Sequence, residues 1–495
     1  MTHLISRRVF LSAALASVAL PAYADAPARS KRPPARGSKA VAPVIKGSED
    51  IIQSAKLSGN VNFAVADIAT GRRLESRNGA SAAPPASVTK SVTALYALDN
   101  LGAQHRFFTT LVATGGVTNG IVQGDLVLMG GGDPTLDSTD LANLAAQLKA
   151  KGIRGVEGKF LIFDRALPRI HSIDSGQPDH VGYNPAISGM ALNFNRVHFE
   201  WRRGSNGYKV TLDARTAKYR PDVTTASMQI VNRDVPVYTY KSTPARDEWT
   251  VSRRALGKDG ARWLPVPLQG LYAADVFRPM ASRHGFVLPS AKTVSRAPTG
   301  IVLATHSSQP LLDILRDMLK YSNNLIAEMV GLAATQKRVG AVNSLKASGR
   351  EMSRWSQANL GMARAALVDH SGLGEASRMT ADDMCTAMVR VQNAGFRRLL
   401  KPIAMRDAKG RPQKNHPVKV DAKTGTLNFV SSLSGYVTTA NGTELAFAIF
   451  TADLKSRSRI GKANREAPQG ARGWNRRAKS LQLALIDRWA TLYSR

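Results

Sequence analysis

A long stretch of short strand-like patterns, from residue 106 to about residue 297, interrupts a chain whose flanking parts are mainly helical in pattern. Within it, β-like runs such as residues 208–212 and 228–237 alternate with turns, and one helical pattern covers residues 141–151. The chain has 495 residues, more than one hydrophobic core usually supports. We therefore expect two or more domains, with residues 106–297 forming one or two β-rich inserted domains.

The first 24 residues have the pattern of a signal peptide. Arg7 and Arg8 precede an apolar stretch that is too short to span a bilayer, which takes about 20 residues. Residues 22–24 supply a small-x-small cleavage site, and the paired arginines favour the twin-arginine route over ordinary secretion. We expect residues 25–50, which are rich in Pro, Ala and basic side chains, to be a flexible linker. We expect the mature protein to work in the periplasm.

The charge of the chain favours anionic partners. Lys and Arg number 68 against 36 Asp and Glu, a formal net charge of +32. Export and the lack of a zinc-finger, basic-zipper or RNP-like pattern argue against nucleic acid. Peptidoglycan stem peptides, which carry several carboxylates, would suit such a surface; a role in solubility alone is the alternative.

The last helical pattern, residues 474–492, carries one apolar stripe. We expect this stripe to pack into the core. Peripheral membrane contact, aided by the basic residues of 455–479, is the alternative. The stripe consists of Leu481, Leu485, Trp489 and Leu492.

Ser87 and Lys90 form the first of three motifs that carry chemistry. Residues i and i+3 of a helix share a face, so the Lys90 amine is expected beside the Ser87 hydroxyl. A serine hydroxyl is a weak nucleophile and needs an adjacent base. Lys90 can be that base only when it is neutral, which burial would promote. Alone, this spacing is common by chance.

Two further motifs follow in order. Ser322 and Asn324, predicted within the helical region 311–334, offer a hydroxyl and a carboxamide that could pass a proton and hold a substrate amide or Lys90. Lys423, Thr424, Gly425 and Thr426 are predicted on a strand whose edge could pair with an extended peptide. Gly425 permits close backbone approach, and Lys423 with the threonine hydroxyls would hold a carboxylate.

The ordered trio Ser-x-x-Lys, Ser-x-Asn and Lys-Thr-Gly is the signature of β-lactamases and penicillin-binding proteins. The chain further resembles the D-Ala-D-Ala carboxypeptidase/endopeptidases of the class C low-molecular-mass penicillin-binding type (peptidase family S13), over most of residues 51–495. Supporting stretches are residues 85–90, 130–136, 192–195 and 322–328. Ser322 lies 235 residues after Ser87, which fits a family with a large insertion there.

The resemblance implies an α+β fold. A β-lactamase/transpeptidase-like domain, with helices around an antiparallel sheet, would comprise residues 51–105 and 298–495. The β-rich insertion, 106–297, would contain one domain nested in another. No cofactor and no metal are implied.

The resemblance also implies a mechanism for a serine-type D-Ala-D-Ala carboxypeptidase, and leaves endopeptidase action open as well, since both activities use one acyl-enzyme. Ser87 would be the nucleophile, Lys90 its base, and Ser322 the proton donor to the leaving amine. Asn324 would orient Lys90 and the substrate amide. The substrate carboxylate would be held by Lys423, Thr424 and Thr426, β-lactams would acylate Ser87, and the oxyanion would sit between the N–H groups of Ser87 and Thr426.

Residues 369–373 depart from the family pattern. Where the family commonly has glycine after the aspartate, this chain has His370. Because histidine takes a positive φ less readily than glycine, we expect the turn to be altered. We expect this change not to touch the three motifs. Asp369, His370 and Ser371 are adjacent and so are predicted to be a loop rather than a catalytic triad. Cys385, the only cysteine, is predicted to be a buried hydrophobe.

Two alternatives stay open. A β-lactamase-like hydrolase would share the acylation step, although the glutamate needed for fast deacylation in class A enzymes has no matching stretch between Ser322 and Lys423. A non-catalytic peptidoglycan-binding protein would keep the motifs as a relic.

Overall fold

The structure, a computed structural model, describes residues 45–407 and 409–494. The predicted signal peptide and most of the predicted linker lie outside these residues. The linker prediction of 25–50 extends too far, because α1 begins at Ser48. The Asp50 carboxylate accepts a hydrogen bond from the Gly47 N–H at 3.1 Å and so caps this helix. The first elements are α1 (Ser48–Ala55), β1 (Asn60–Asp67), β2 (Arg73–Arg77) and α2 (Thr89–Leu101).

The middle of the chain contains most of the strands, as predicted. They are short, and two helices lie among them. The elements are β3 (Phe108–Ala113), β4 (Val117–Thr118), β5 (Ile121–Val122), β6 (Leu126–Gly130), α3 (Ser138–Ala150), β7 (Gly155–Val156), β8 (Phe160–Phe163), β9 (Arg196–Gly204), β10 (Gly207–Asp213), β11 (Ala226–Val231), β12 (Tyr238–Ser242), β13 (Asp247–Ser252), β14 (Asp259–Pro265), α4 (Gln269–Ser282), β15 (Lys292–Val294) and β16 (Ile301–Ser307).

The last part of the chain returns to helices and then completes a sheet. Its elements are α5 (Leu311–Tyr321), α6 (Asn324–Val339), α7 (Leu345–Leu360), α8 (Ala381–Arg390), β17 (Lys401–Pro402), β18 (Lys419–Leu427), β19 (Val430–Thr438), β20 (Glu444–Ala452), α9 (Leu454–Ser458) and α10 (Ala471–Leu492).

A six-stranded antiparallel sheet, in the order β17-β18-β19-β20-β1-β2, joins the first two strands of the described residues to the last four. Both of its faces are covered. Successive side chains of a strand point to opposite faces, so Phe63 and Val65 pack towards α10 while Ala64 and Ala66 pack towards α2, α6 and α8. Residues 439–443 form the hairpin turn between β19 and β20, and they include Asn441-Gly442, a dipeptide that favours such turns.

The apolar stripe of the last helix packs into the core, as predicted, at three of its four positions. Leu481, Leu485 and Trp489 are buried against the sheet. Leu492 is 42% exposed, because it lies in the last turn of α10. Within the described residues, none of the helices combines the length and the apolarity that crossing a membrane requires.

The middle strands form a five-stranded sheet, β15-β8-β6-β3-β16, and three small three-stranded sheets. A single buried cluster connects the five-stranded sheet with α3, α4 and the sheets of β9–β14. The final strand, β16, pairs with β3 through Ile301 opposite Ala113. The predicted end of the insertion at residue 297 is therefore too early, because the partner of β16 lies far back in the sequence.

The predicted helical region 311–334 is divided in two. Ser322 has φ 56°, in the left-handed region, and ends α5. Asn323 then caps α6, since its side-chain oxygen accepts a hydrogen bond from the Ile326 N–H at 3.1 Å. The break places Ser322 and Asn324 at a helix junction rather than along a continuous helix.

Candidate active site

Ser87 lies in a single 3₁₀ turn, Ala86–Val88, that leads directly into α2. The sequence predicts a helix starting at Ser87; the structure has this tighter turn first. Ala86 takes φ 45°, an uncommon conformation for a residue with a Cβ. The turn leaves Ser87 half-buried, so that its hydroxyl is accessible while its backbone is held.

Lys90 is fully buried beside Ser87. Its Nζ lies 3.0 Å from Ser87 Oγ, 2.7 Å from Asn324 Oδ1 and 2.7 Å from the carbonyl oxygen of Ser371. Burial lowers the pKa of Lys90 to about 8, against the opposing effect of the Glu328 and Asp369 carboxyl groups. A sizeable share of the amine is therefore neutral near pH 8, as a general base for Ser87 requires.

Two buried carboxyl groups support the loop that contacts Lys90. Glu328 accepts hydrogen bonds from the N–H groups of His370 and Ser371, at 2.9 and 2.8 Å. Asp369 accepts from the N–H groups of Gly372 and Gly374, at 3.0 and 2.6 Å. Burial and the neighbouring Asp369 raise the pKa of Glu328 to about 8, and burial raises the pKa of Asp369. These contacts fix the direction of the Ser371 carbonyl group.

Ser322 and Asn324 connect the other two motifs. Ser322 Oγ accepts a hydrogen bond from Lys423 Nζ at 2.9 Å. Asn324 accepts from Lys90 through Oδ1 and donates through Nδ2 to the carbonyl oxygen of Tyr183, at 2.8 Å. Tyr183 belongs to the loop between β8 and β9, so the inserted region contacts the site directly.

The third motif lies on β18, as predicted. Lys423 is buried and also donates to the Thr424 carbonyl oxygen at 2.7 Å. Burial, together with the nearby positive charges of Lys90 and Lys401, holds the pKa of Lys423 well below its usual range. A Cβ on Gly425 would lie 2.9 Å from the carbonyl oxygen of Pro85 and 3.0 Å from the N of Ser87, so glycine lets β18 approach the nucleophile turn.

One edge of β18 is open next to Ser87. Its other edge pairs with β19 along its whole length, whereas β17 covers only Asp421 and Ala422. Within the described residues, positions 423–427 have no strand partner on that side. An extended peptide can pair there with the backbone of β18.

The three motifs thus converge around Ser87. The structure corrects the expectation that His370 alters the turn of residues 369–373. His370 has an ordinary negative φ, and Gly372, at φ 75°, makes the turn. His370 is fully buried, forms a hydrogen bond with Ser348 Oγ at 2.7 Å, and has its pKa lowered by burial to about 3. The stretch is a loop, as predicted, but it does touch the motifs, through Ser371 and Lys90.

Sequence reasoning missed Glu328 and Asp369 as supports of the site. A glutamate within the apolar run Leu325–Val330 was the available signal, because a buried charge needs partners. The prediction for Cys385 is confirmed: it is buried, and burial raises the pKa of its thiol to about 12. Within residues 45–407 and 409–494, no group of three or more His, Cys, Asp or Glu could hold a metal ion.

Comparisons with known proteins agree with this geometry. A model of the D-Ala-D-Ala carboxypeptidase 3 (S13) family matches residues 46–470. A D-alanyl-D-alanine carboxypeptidase of Actinomadura sp. (strain R39) is 29% identical over 85% of this chain and 85% of its own. The D-alanyl-D-alanine carboxypeptidase DacB of Haemophilus influenzae is 26% identical over 83% of this chain and 90% of its own.

The crystal structure of penicillin-binding protein 4 (dacB) from Haemophilus influenzae superimposes with a TM-score of 0.73. The two chains are 21% identical, and the match covers 91% of this chain and 100% of the other. The same protein has also been solved in complex with a β-lactam, with a TM-score of 0.68 at 22% identity over 90% of this chain and 99% of the other. The likeness confirms the predicted α+β, transpeptidase-like fold with a large β-rich insertion.

Proposed function

Because the chain belongs to the S13 family of D-Ala-D-Ala carboxypeptidases, we propose that it cleaves peptidoglycan stem peptides through an acyl-enzyme on Ser87. It is a serine-type D-Ala-D-Ala carboxypeptidase, as predicted, and endopeptidase action through the same acyl-enzyme is part of the proposal. The observation that carries the assignment of Ser87 is its contact with Lys90, a fully buried lysine with a lowered pKa. A buried lysine costs stability, so a catalytic use is a physical reason to keep one there.

Acylation begins with proton transfer. Neutral Lys90 takes the proton of the Ser87 hydroxyl, and Oγ attacks the carbonyl carbon of the penultimate D-Ala. The negative charge that develops on the carbonyl oxygen is stabilised by the N–H groups of Ser87 and Thr426. The closeness of Gly425 to the Ser87 turn supports this arrangement, since it places β18 against the nucleophile.

The C–N bond then breaks, and the leaving amine needs a proton. The proton held by Lys90 reaches it through Ser322, and the freed D-Ala departs with a neutral amine. Asn324, held by its bonds to Lys90 and Tyr183, orients both the lysine and the substrate amide. Water next attacks the ester carbon, its proton returns through Lys90 to Ser87 Oγ, and the shortened peptide leaves as a carboxylic acid.

The substrate carboxylate is assigned to Lys423, Thr424 and Thr426. Lys423 has no carboxylate partner among the described residues, and it already donates to Ser322. A bound carboxylate would supply the missing negative charge. The same recognition accounts for acylation by β-lactams, a class of ligand seen in complex with the Haemophilus influenzae protein.

For domain organisation we propose a catalytic domain of residues 51–105 plus the chain after β16, with an insertion between them. Strands β9–β14 lie in sequence between β8 and β15 of the five-stranded sheet, which supports one domain nested in another. We further propose a signal peptide at 1–24, export by the twin-arginine route, and action on the cell wall in the periplasm. Membrane contact is not part of the proposal, because Leu481, Leu485 and Trp489 are buried.

Intact-protein mass spectrometry after penicillin treatment tests the site. We expect wild type to gain the mass of one penicillin and Ser87→Ala to gain none. Ser290→Ala, which changes an exposed serine in the inserted region, serves as the control and should be acylated like wild type. An unmodified, folded wild type, or an adduct on Ser87→Ala, would exclude Ser87 as the nucleophile.

A further inference from the structure

A wide groove begins at the end of β18. It is bounded by Arg406, Lys409 and Gly410 on one side and by the first half of α10 on the other, with a volume of about 1020 Å³. Thr426 and Asn428 line its near end. Because Thr426 follows the Lys-Thr-Gly motif, a substrate that lies along β18 can extend from Ser87 into this groove.

Five exposed basic side chains line the groove, and we call it the basic groove. None of the five forms an ion pair with a carboxylate within the described residues, although Arg406 donates to the Gly410 carbonyl oxygen. Unpaired cations facing one concavity create a positive potential that attracts anions. The five are Arg406, Lys409, Arg472, Arg476 and Lys479.

The one acidic residue in the lining does not cancel this charge. The Glu466 carboxylate accepts from Arg262 Nη2 at 2.5 Å and contacts His180 Nε2 at 2.8 Å. These two partners lower the pKa of Glu466 to about 2. Its negative charge is therefore matched by partners outside the lining, and the five cations remain available to a ligand.

We propose that the basic groove binds peptidoglycan carboxylates on the acyl side of the scissile bond, away from the released D-Ala. It would so favour polymeric or multiply charged substrate over short peptides whose only carboxylate is the C-terminal one. This inference rests on the proposed function. Two observations favour such an occupant over a flat anionic lipid surface: the site is concave, and it is continuous with β18. The ligand is thus an extended chain with several carboxylates, recognised by charge rather than by shape.

The test removes three charges from α10 in the variant R472Q/R476Q/K479Q. These side chains are exposed, whereas α10 is anchored by its opposite, buried face. The matched control K337Q/K346Q/R350Q removes three exposed charges from α6 and α7, away from the groove. The kcat/KM for D-Ala release is measured on purified peptidoglycan and on a diacylated Lys-D-Ala-D-Ala peptide, at low and high salt.

With each lost contact costing about twofold, we expect the groove variant to lose roughly tenfold in kcat/KM on peptidoglycan at low salt. It should lose less than twofold on the short peptide, and high salt should narrow the gap to wild type, because salt screens exposed charges. The control should match wild type on both substrates.

Three outcomes would overturn the inference: a groove variant equal to the control on peptidoglycan, an equal loss on both substrates, or a loss of binding to vesicles of anionic phospholipid with peptidoglycan cleavage unchanged. The last result would identify a lipid surface as the occupant. Failure of the proposed function looks different, since wild type itself would then neither cleave the short peptide nor react with penicillin.

Discussion

The protonation of Lys90 decides at which pH Ser87 can react, because only the neutral amine can accept the hydroxyl proton. Lys90 is fully buried, and its pKa is lowered from 10.5 to about 8. We expect the rate constant of Ser87 acylation by a penicillin to rise about tenfold per pH unit below pH 8 and to level off above it.

The magnitude follows from the fraction of neutral amine. At pH 7, a lysine with a pKa of 10.5 is neutral in about 3 molecules in 10,000, and one with a pKa of 8 in about 1 in 11. The site therefore gains a factor of about 300 in usable base. Lys90→Arg should forfeit at least that factor, because a guanidinium group stays protonated throughout the accessible pH range.

A fluorescent penicillin followed by stopped-flow from pH 6 to 9.5 measures this rate constant, and thermal unfolding at each pH checks that the protein stays folded. Lys346→Arg, at an exposed position of α7, is the control and should keep the wild-type profile. A rate constant that does not change between pH 6 and 9, or an active Lys90→Arg, would refute Lys90 as the base. A rate constant that still rises tenfold per pH unit up to pH 9.5 would refute the lowered pKa of Lys90.

Two further predictions concern packing around the site. Gly425→Ala places a Cβ 2.9 Å from the Pro85 carbonyl oxygen, which forces β18 away from Ser87, and should lower kcat/KM by about 100-fold. The control Gly461→Ala, whose Cβ meets nothing within 4 Å, should leave kcat/KM nearly unchanged. A fully active Gly425→Ala would contradict the close approach of β18 to Ser87. The lowered pKa of His370 means that the native state resists its protonation, so its contribution to stability is present above pH 6.5 and is lost as the pH falls towards 3. Urea unfolding should show wild type losing up to about 1.4 kcal/mol per pH unit below 6.5 relative to His370→Gln, and parallel curves for the two proteins would show that His370 is not buried in its neutral form.

Sequence predicts the parts of the site that depend on local geometry. The spacing of Ser87 and Lys90 places both on one side of a helical turn wherever that turn packs. The strand predicted to carry Lys423, Thr424 and Gly425 likewise involves residues close in sequence. These predictions are confirmed as structure, because each needs only its own neighbours to form.

Contacts between distant segments are what the sequence could not supply. The apolar pattern of 311–334 continues across Ser322, so nothing in its periodicity shows the left-handed residue that ends α5. Glu328 gains its role only from the loop at His370 and Ser371, which folds back onto α6.

His370 shows the same limit from another direction. The His370 ring packs directly against Gly331, where an added Cβ would lie only 2.1 Å from the ring. A glycine on one element thus provides the space for a large side chain on another, and no local pattern connects the two positions. The expected distortion of the turn does not occur because Gly372, not His370, takes the positive φ.

The open edge of β18 also has a consequence for how copies of the protein behave towards one another. An unpaired strand edge accepts any extended backbone, including the same edge of a second molecule, and such pairing leads to aggregation. Here the neighbouring basic groove gives every copy the same positive charge next to that edge. Two molecules that approach edge to edge repel each other, while an anionic peptide is attracted, so one charge distribution serves both colloidal stability and substrate selection.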